Sequence, residues 1–382
     1  MKFYKTILLG AIISALVNVS GCNSGSDDAD VVLEEYYYTD LHNWNDSRGL
    51  AQSFLGRGIN MGNYFESPTY EGEWNDDLTI RASDFANIRS QGFASVRIPV
   101  RWSAHTEKND PHTIEASFIA RVQEVIDQAL QQDLKVIINT HHFDELFYNT
   151  SEFSLHRQRL LSFWAQLSQQ FPLSDYSEEQ LVFEFLNEPH ENVGFDEWNS
   201  LIDDLTKLVW VDNANTQNNA LGQRKVMIGT ADWGGPSKLP YLDLPARVNA
   251  DNTLITVHFY DPFEFTHQGA SWVEAASQWI GTRWLGTEEE QQTLFDYLDK
   301  VAEWNQQPGR NFEVNIGEFG VYSEYSRAED RRAWTAFIAR EAEKRGFSWH
   351  YWEYSSMFGA YDPFAEKWRA PLLEGLIPTP VE

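Results

Sequence analysis

The chain has 382 residues, 42% of them hydrophobic and 14% aromatic, and carries a formal charge of −28 at pH 7. That length and apolar content supply the core of one large domain or two ordinary ones. So acidic a chain meets a nucleic-acid backbone or an anionic membrane surface with the wrong sign, which argues against both as partners and favours a neutral ligand; the plainer reading of the charge is solubility. The single cysteine, Cys22, excludes an internal disulfide and a cysteine-built zinc site.

In chain order, Lys2 and Lys5 precede an apolar run from Ile7 to Val19 that is too short to span a bilayer comfortably. Val19-Ser20-Gly21-Cys22 then resembles a bacterial lipobox, which implies lipidation of Cys22 and its exposure as the mature N terminus; an ordinary cleaved signal peptide is the alternative. Asn23 in place of an aspartate points, by the same resemblance, to an exported lipoprotein of the outer membrane or cell surface. Residues 1–22 are therefore read as leader and 23–48 as an acidic tether, because "NSGSDDAD" is small, polar and charged. Residues 49–382 are read as one continuous domain.

Eight strand-like runs punctuate that domain: "GRGINMG" (56–62), "SVRIPV" (95–100), "KVIINTHH" (135–142), "LVFEFLNEP" (181–189), "KVMIGTA" (225–231), "LITVHFYDP" (254–262), "EVNIGEFG" (313–320) and "FSWHYWEYS" (347–355). They are β-branched or aromatic throughout, as strands buried on both faces should be. Helical spacing separates them. Phe118, Val122, Val125, Ile126 and Ala129 recur at three and four, as do Leu160, Phe163, Trp164 and Leu167; Ser83 is a candidate N-cap, with Gly92 closing the same helix. Alternating buried strands and helices predict an α/β fold, a (β/α)₈ TIM barrel with a single catalytic domain. The competing open doubly wound sheet wants a Gly-rich phosphate turn after the first strand, and none is present.

In such a barrel the site forms at the C-terminal ends of the strands, and the polar residues gather there: Arg97, His141, His142, Asn187, Glu188, His258, Tyr260, Glu318, Trp352 and Glu353. Two carboxyls on the fourth and seventh strands would face each other across the mouth, the pairing that cleaves glycosidic bonds. One must stay protonated to serve the leaving oxygen and the other ionised to attack carbon. Pro189 biases Glu188 to extended backbone. No metal and no cofactor are expected: adjacent His141 and His142 point to opposite faces of a strand, and "GINMG" lacks the His-x-His that metal-dependent barrel hydrolases carry on strand 1. Glu184 reads as a satisfied structural carboxylate, and Trp164 and Trp198 as packing.

Beyond the residues themselves, "GINMGNYFE", "LNEP", "VHFYDPFEFTHQGASW", "NIGEFG" and "YWEYSSMFGAYDP" resemble glycoside hydrolase family 5, the cellulase-type retaining enzymes, in the right order from about residue 56 to 363. The resemblance implies that Glu188 is the acid/base and Glu318 the nucleophile, that Asn187 binds the sugar 2-hydroxyl, and that Arg97 and Tyr260 hold the nucleophile. It further implies that His141, His142 and His258 line the cleavage site, that Trp352 stacks beneath the sugar, and that the peptide after Trp352 is cis. Asn63, Glu66, Trp233 and Glu353 are candidates for sugars farther along, with a plain loop or core role the alternative for each; Phe263, Phe265 and His267 lie in a loop the resemblance marks without assigning. A retaining mechanism sets the carboxyls about 5–5.5 Å apart. The implied activity is an endo-β-1,4-glucanase acting on cellulose-like or mixed-linkage glucans as a monomer, held to a membrane only through its lipid. A β-mannanase or dual enzyme is the alternative, and a non-catalytic glycan-binding lipoprotein the alternative of another class.

Overall fold

The computed structural model describes residues 53–212 and 224–378; Cys22 and the tether lie outside them. Eight parallel strands close into a barrel in sequence order: β1 Arg57–Asn60, β2 Ser95–Ile98, β3 Lys135–Asn139, β4 Leu181–Glu184, β5 Val226–Ile228, β6 Thr253–Phe259, β7 Glu313–Phe319 and β8 Ser348–Tyr351, with β1 pairing β8. The (β/α)₈ expectation holds. The strands are shorter than the apolar runs suggested. β4 ends at Glu184, so buried Phe185 and Leu186 continue the core as irregular chain.

The helical spacing also holds. Phe118, Val122, Val125, Ile126 and Ala129 form the buried stripe of helix Ala116–Leu130, and Leu160, Phe163, Trp164 and Leu167 that of Phe153–Gln170. The first helix, Ala82–Ser90, starts two residues earlier than expected: its N-cap is Arg81, not Ser83, because the Asp84 carboxylate reaches back to accept the Arg81 amide at 2.8 Å. Gly92, at φ +97°, closes it as anticipated. After β5 the described chain carries only a short 3-10 turn, Pro236–Tyr241, and after β8 comes an antiparallel hairpin, Tyr361–Asp362 with Lys367–Trp368, that the sequence did not announce.

Strand geometry divides the core in two. Outward residues such as Val96, Ile138, Phe183, Val257 and Trp349 join the helices in one continuous apolar layer. Inward residues at the N-terminal ends, Ile137, Val182, Met227 and Leu254, meet Leu55 in a separate small plug flanked by Phe54. Above the plug the interior turns polar, with Ser95 and Asn315 each hydrogen-bonded to His350. Gly58 makes room for that layer, since a Cβ there would lie 2.3 Å from the His350 ring.

Candidate active site

The polar interior culminates in Arg97, which is wholly buried. Its five N–H groups are all used. Nε and Nη2 grip Glu184 at 2.6 and 2.8 Å, Nη2 also reaches Asn187 Oδ1 at 2.7 Å, and Nη1 serves Asn60 Oδ1 at 2.9 Å and Glu318 Oε1 at 2.7 Å. Burial opposes the charge on Arg97, but Glu184 and Glu318 outweigh it and push its pKa up. Glu184 is thus the satisfied structural carboxylate that the alternation suggested. By taking Asn187 Oδ1, the guanidinium also turns the amide NH2 of Asn187 toward other partners.

Glu318 completes its coordination with the Tyr260 hydroxyl, 3.0 Å from Oε2. Burial first, then Glu318 itself, pushes the Tyr260 pKa well up, so the phenol remains a donor. Glu188 is the more open acid, its side chain 20% exposed against 7% for Glu318. His258 bridges the two: Nδ1 lies 2.6 Å from Glu188 Oε1 and 3.6 Å from Glu318 Oε2. Burial lowers the His258 pKa, but Glu318 and Glu188 together outweigh it and raise it. Donor atoms of Glu188, His258 and Glu318 all fall within 4.8 Å of one another. Among the described residues this trio is also the cluster most able to hold a cation, yet Arg97 and Tyr260 already occupy Glu318, which leaves a carboxyl pair bridged by an imidazole.

The loops after the strands supply the rest. Glu188 is not extended: its φ is +44°, overturning the expectation drawn from Pro189. Asn187 N is tied back to Thr140 O at 2.9 Å, and the Glu188 carbonyl accepts His190 Nδ1 at 2.5 Å, so a left-handed turn fits between fixed points. Such a conformation costs on the order of 1–3 kcal/mol and persists where neighbours over-determine it. His141 is neutral, its pKa driven well down by burial and then by His142 and Arg97; Asn139 lies 3.0 Å from its Nδ1, and its ring lies parallel to Trp352 at 5.8 Å. The Trp352–Glu353 peptide is cis. His142 turns aside at φ +48° and sets its ring edge against Trp74.

The weaker candidates divide. Trp233 is 44% exposed and stacks on His190 at 3.6 Å, presenting a flat face beside the mouth. Glu66 and Glu353 take the core role and not the sugar-binding one: both have no exposed surface and are folded into the wall. Glu66 accepts the amides of Asn63 and Tyr64, and Glu353 those of Ser355, Ser356 and Phe358. Burial lifts them to about 8 and about 7 against the pull of those amides. Asn63, at φ +66° and 6% exposed, forms the turn that Glu66 caps. Trp164 and Trp198 are packing residues, each donating its indole N–H to a backbone carbonyl. Of the unassigned loop, Phe263 is exposed and stacked on buried His267, while Phe265 is core. The reading missed Asn60, His190 and Trp74. Period two from Gly58 marks Asn60 as inward; the others carry no signal beyond residue type.

A barrel mouth that sets two carboxyls across one imidazole has the arrangement of a glycoside-cleaving enzyme. The chain belongs to the cellulase family, glycosyl hydrolase family 5, whose profile matches residues 58–357. It is 32% identical over 309 residues to Endoglucanase H of Acetivibrio thermocellus, covering 81% of this chain and 30% of that protein, and 28% identical to Cellulase/esterase CelE of the same organism, covering 36% of it. The chain thus spans about a third of the length of these curated relatives. Among solved structures, Thermotoga maritima Cel5A in complex with mannotriose superposes with a TM-score of 0.76 at 40% identity, covering 86% of this chain and 100% of that one.

Proposed function

We propose that the protein is a retaining endo-β-1,4-glucanase acting on cellulose-like or mixed-linkage glucans. The observation that carries the reading is the pairing of Glu188 and Glu318 within 4.8 Å through His258, with different surroundings on each. Glu318 meets a permanent cation and a phenol O–H, which complement a carboxylate; Glu188 faces the open mouth. In the first step Glu318 attacks the anomeric carbon, the glycosidic C–O bond breaks, and Glu188 gives its proton to the leaving oxygen. In the second, Glu188 takes a proton from water, whose oxygen displaces Glu318 from the glycosyl ester, and configuration is retained. Asn187 offers its amide to the 2-hydroxyl, Trp352 a face to the ring, and His141 its Nε2–H.

Reducing-sugar release from carboxymethyl cellulose, barley β-glucan and mannan tests the substrate, and NMR of the first-formed anomer tests retention. Cleavage of the glucans with β-anomer formed first is expected. Activity on mannan alone overturns the glucan assignment, and binding without turnover on any polymer leaves a glycan-binding protein. The Thermotoga relative has been solved with both mannotriose and cellobiose, so mannan belongs in the panel.

We further propose that Cys22 is lipidated and that residues 23–48 tether the domain 49–382 to an outer-membrane or cell surface. The short apolar run and Val19-Ser20-Gly21-Cys22 support this, and among the described residues no helix is long and apolar enough to cross a membrane. Metabolic labelling with palmitate should mark the wild type, and Cys22→Ser should release unlabelled protein; label on the variant overturns it.

A further inference from the structure

The seventh strand does not alternate regularly. Asn315 points inward, bonding Ser348 and His350, and Gly317 points inward too, since a Cβ on it would meet Thr256 Oγ1 at 2.5 Å and His258 Nε2 at 2.9 Å. Period two would then send Glu318 out among the helices and bring Phe319 in. The opposite is found: Glu318 reaches Arg97 inside, and Phe319 packs against Trp334 and Trp349 outside. A β-bulge makes the exchange. β6 and β7 pair in step up to Val257 with Ile316, then His258 faces Glu318 and Gly317 has no partner; β8 shows the same slip between Ile316 and Phe319. Such an extra residue disrupts the ladder and re-aims a side chain.

Two side chains hold the carbonyls on either side of this irregularity. From inside, Asn60 Nδ2 donates to Gly317 O at 3.0 Å, while its Oδ1 accepts Arg97 Nη1, the same nitrogen that serves Glu318. From outside, the Tyr297 hydroxyl on helix Glu288–Asn305 donates to His258 O. We propose that Asn60 and Tyr297 clamp the β6–β7 bulge from its two faces, and that Tyr297, on the outer wall of the barrel, is a positioning residue for His258 between Glu188 and Glu318. This rests on the glucanase reading for its kinetic consequence, though not for its structural one.

The charged and titratable groups facing His258 are Glu188 from the β4 loop, Glu318 from β7, Arg97 from β2, His141 from the β3 loop and Tyr260 just past the end of β6. Facing Tyr297 are Asp261 and Glu188, with Asp296 and Lys300 on its own helix. Loosening the His258 backbone lengthens its contacts with the two carboxylates, so less remains to hold its proton.

Tyr297→Phe removes one oxygen and tests the clamp. Expected are a fall in kcat on barley β-glucan of about tenfold with KM within about twofold, and an imidazole titration of His258, followed by NMR, that moves down toward the ordinary histidine value. Tyr176→Phe is the control. Its hydroxyl bonds Asp127 and Gln123 far from the mouth, so it should lower the melting temperature by a few degrees and leave kcat and the titration alone. If Tyr297→Phe matches Tyr176→Phe in both readouts, the clamp does not exist. If the wild type hydrolyses no glucan, the functional reading fails instead, and the titration, which needs no turnover, still decides the clamp.

Discussion

The two ends of the barrel are built from the same strands and behave as different materials. At the N-terminal end Val182 and Leu254 join an apolar plug; two residues along β4 stands Glu184, and four along β6 stands His258. Nothing in backbone geometry distinguishes the ends, since inward positions simply recur at period two. The closed end is held by area removed from water, which tolerates hydrophobic substitutes of similar volume. The mouth is held by Arg97 and its four acceptor residues, where each lost partner strands a buried charge or amide. Stability and chemistry are thereby separated along the barrel axis, with Arg97 at the boundary and involved in both.

Substitutions can sharpen or break that separation. Glu318→Ala, at the mouth, should lower glucan turnover by on the order of 10⁴-fold or more while circular dichroism stays unchanged, because Arg97 keeps Glu184. Glu188→Ala should cost polymers on the order of 10²–10⁴-fold and aryl glycosides with good leaving groups far less; equal losses on both would remove Glu188 from the acid role. Arg97→Met, at the boundary, should both inactivate and destabilise by about 3–5 kcal/mol in chemical denaturation, for it leaves buried Glu184 unpaired. Leu254→Ala, in the plug, should destabilise by about 2–5 kcal/mol with kcat and KM unchanged wherever the protein is folded. A kinetic defect there would show that the two ends are coupled.

The smallest effect is on pH dependence. Buried His267 and His350 are held down at about 3 by burial, against 6.5 ordinarily. Between those values the unfolded chain binds more protons, so stability is lost as pH falls through the interval. Glu66 and Glu353 are raised from 4.5 to about 8 and about 7. There the folded chain binds more protons, so stability is lost as pH rises. The slopes oppose between about 4.5 and 6.5; above, the glutamates act together with His258, whose pKa Glu318 and Glu188 raise over the ordinary value, and both lower stability as pH rises. Melting temperature should therefore pass a broad maximum in that range and decline by pH 8.5; a curve still climbing there would contradict the burial of both acids.

Much of this was legible in the amino-acid order. Strands covered on both faces read as unbroken apolar runs, so all eight were visible, and the polar residues closing each run marked the mouth. What escaped depends on single backbone bonds. Val314, Ile316 and Glu318 share a face by simple alternation, and only the bulge at Gly317 parts them. The proline rule predicted extended backbone at Glu188, but tethers on both sides impose the reverse. Glu66 and Glu353 stand where sugar ligands were anticipated, yet free backbone amides captured them first. An acidic residue near a rim has two such fates, and residue type alone does not choose between them.

The segment before β1 has a practical bearing on attachment. Ser53 and Leu55 bond Glu313 at the first residue of β7, and Phe54 packs under Lys135 and Lys225 at the starts of their strands. The chain therefore enters its domain through the floor. A bead or fusion partner joined directly at residue 53 would therefore take hold at the end opposite the opening, and a long polymer could approach that opening without passing the point of attachment.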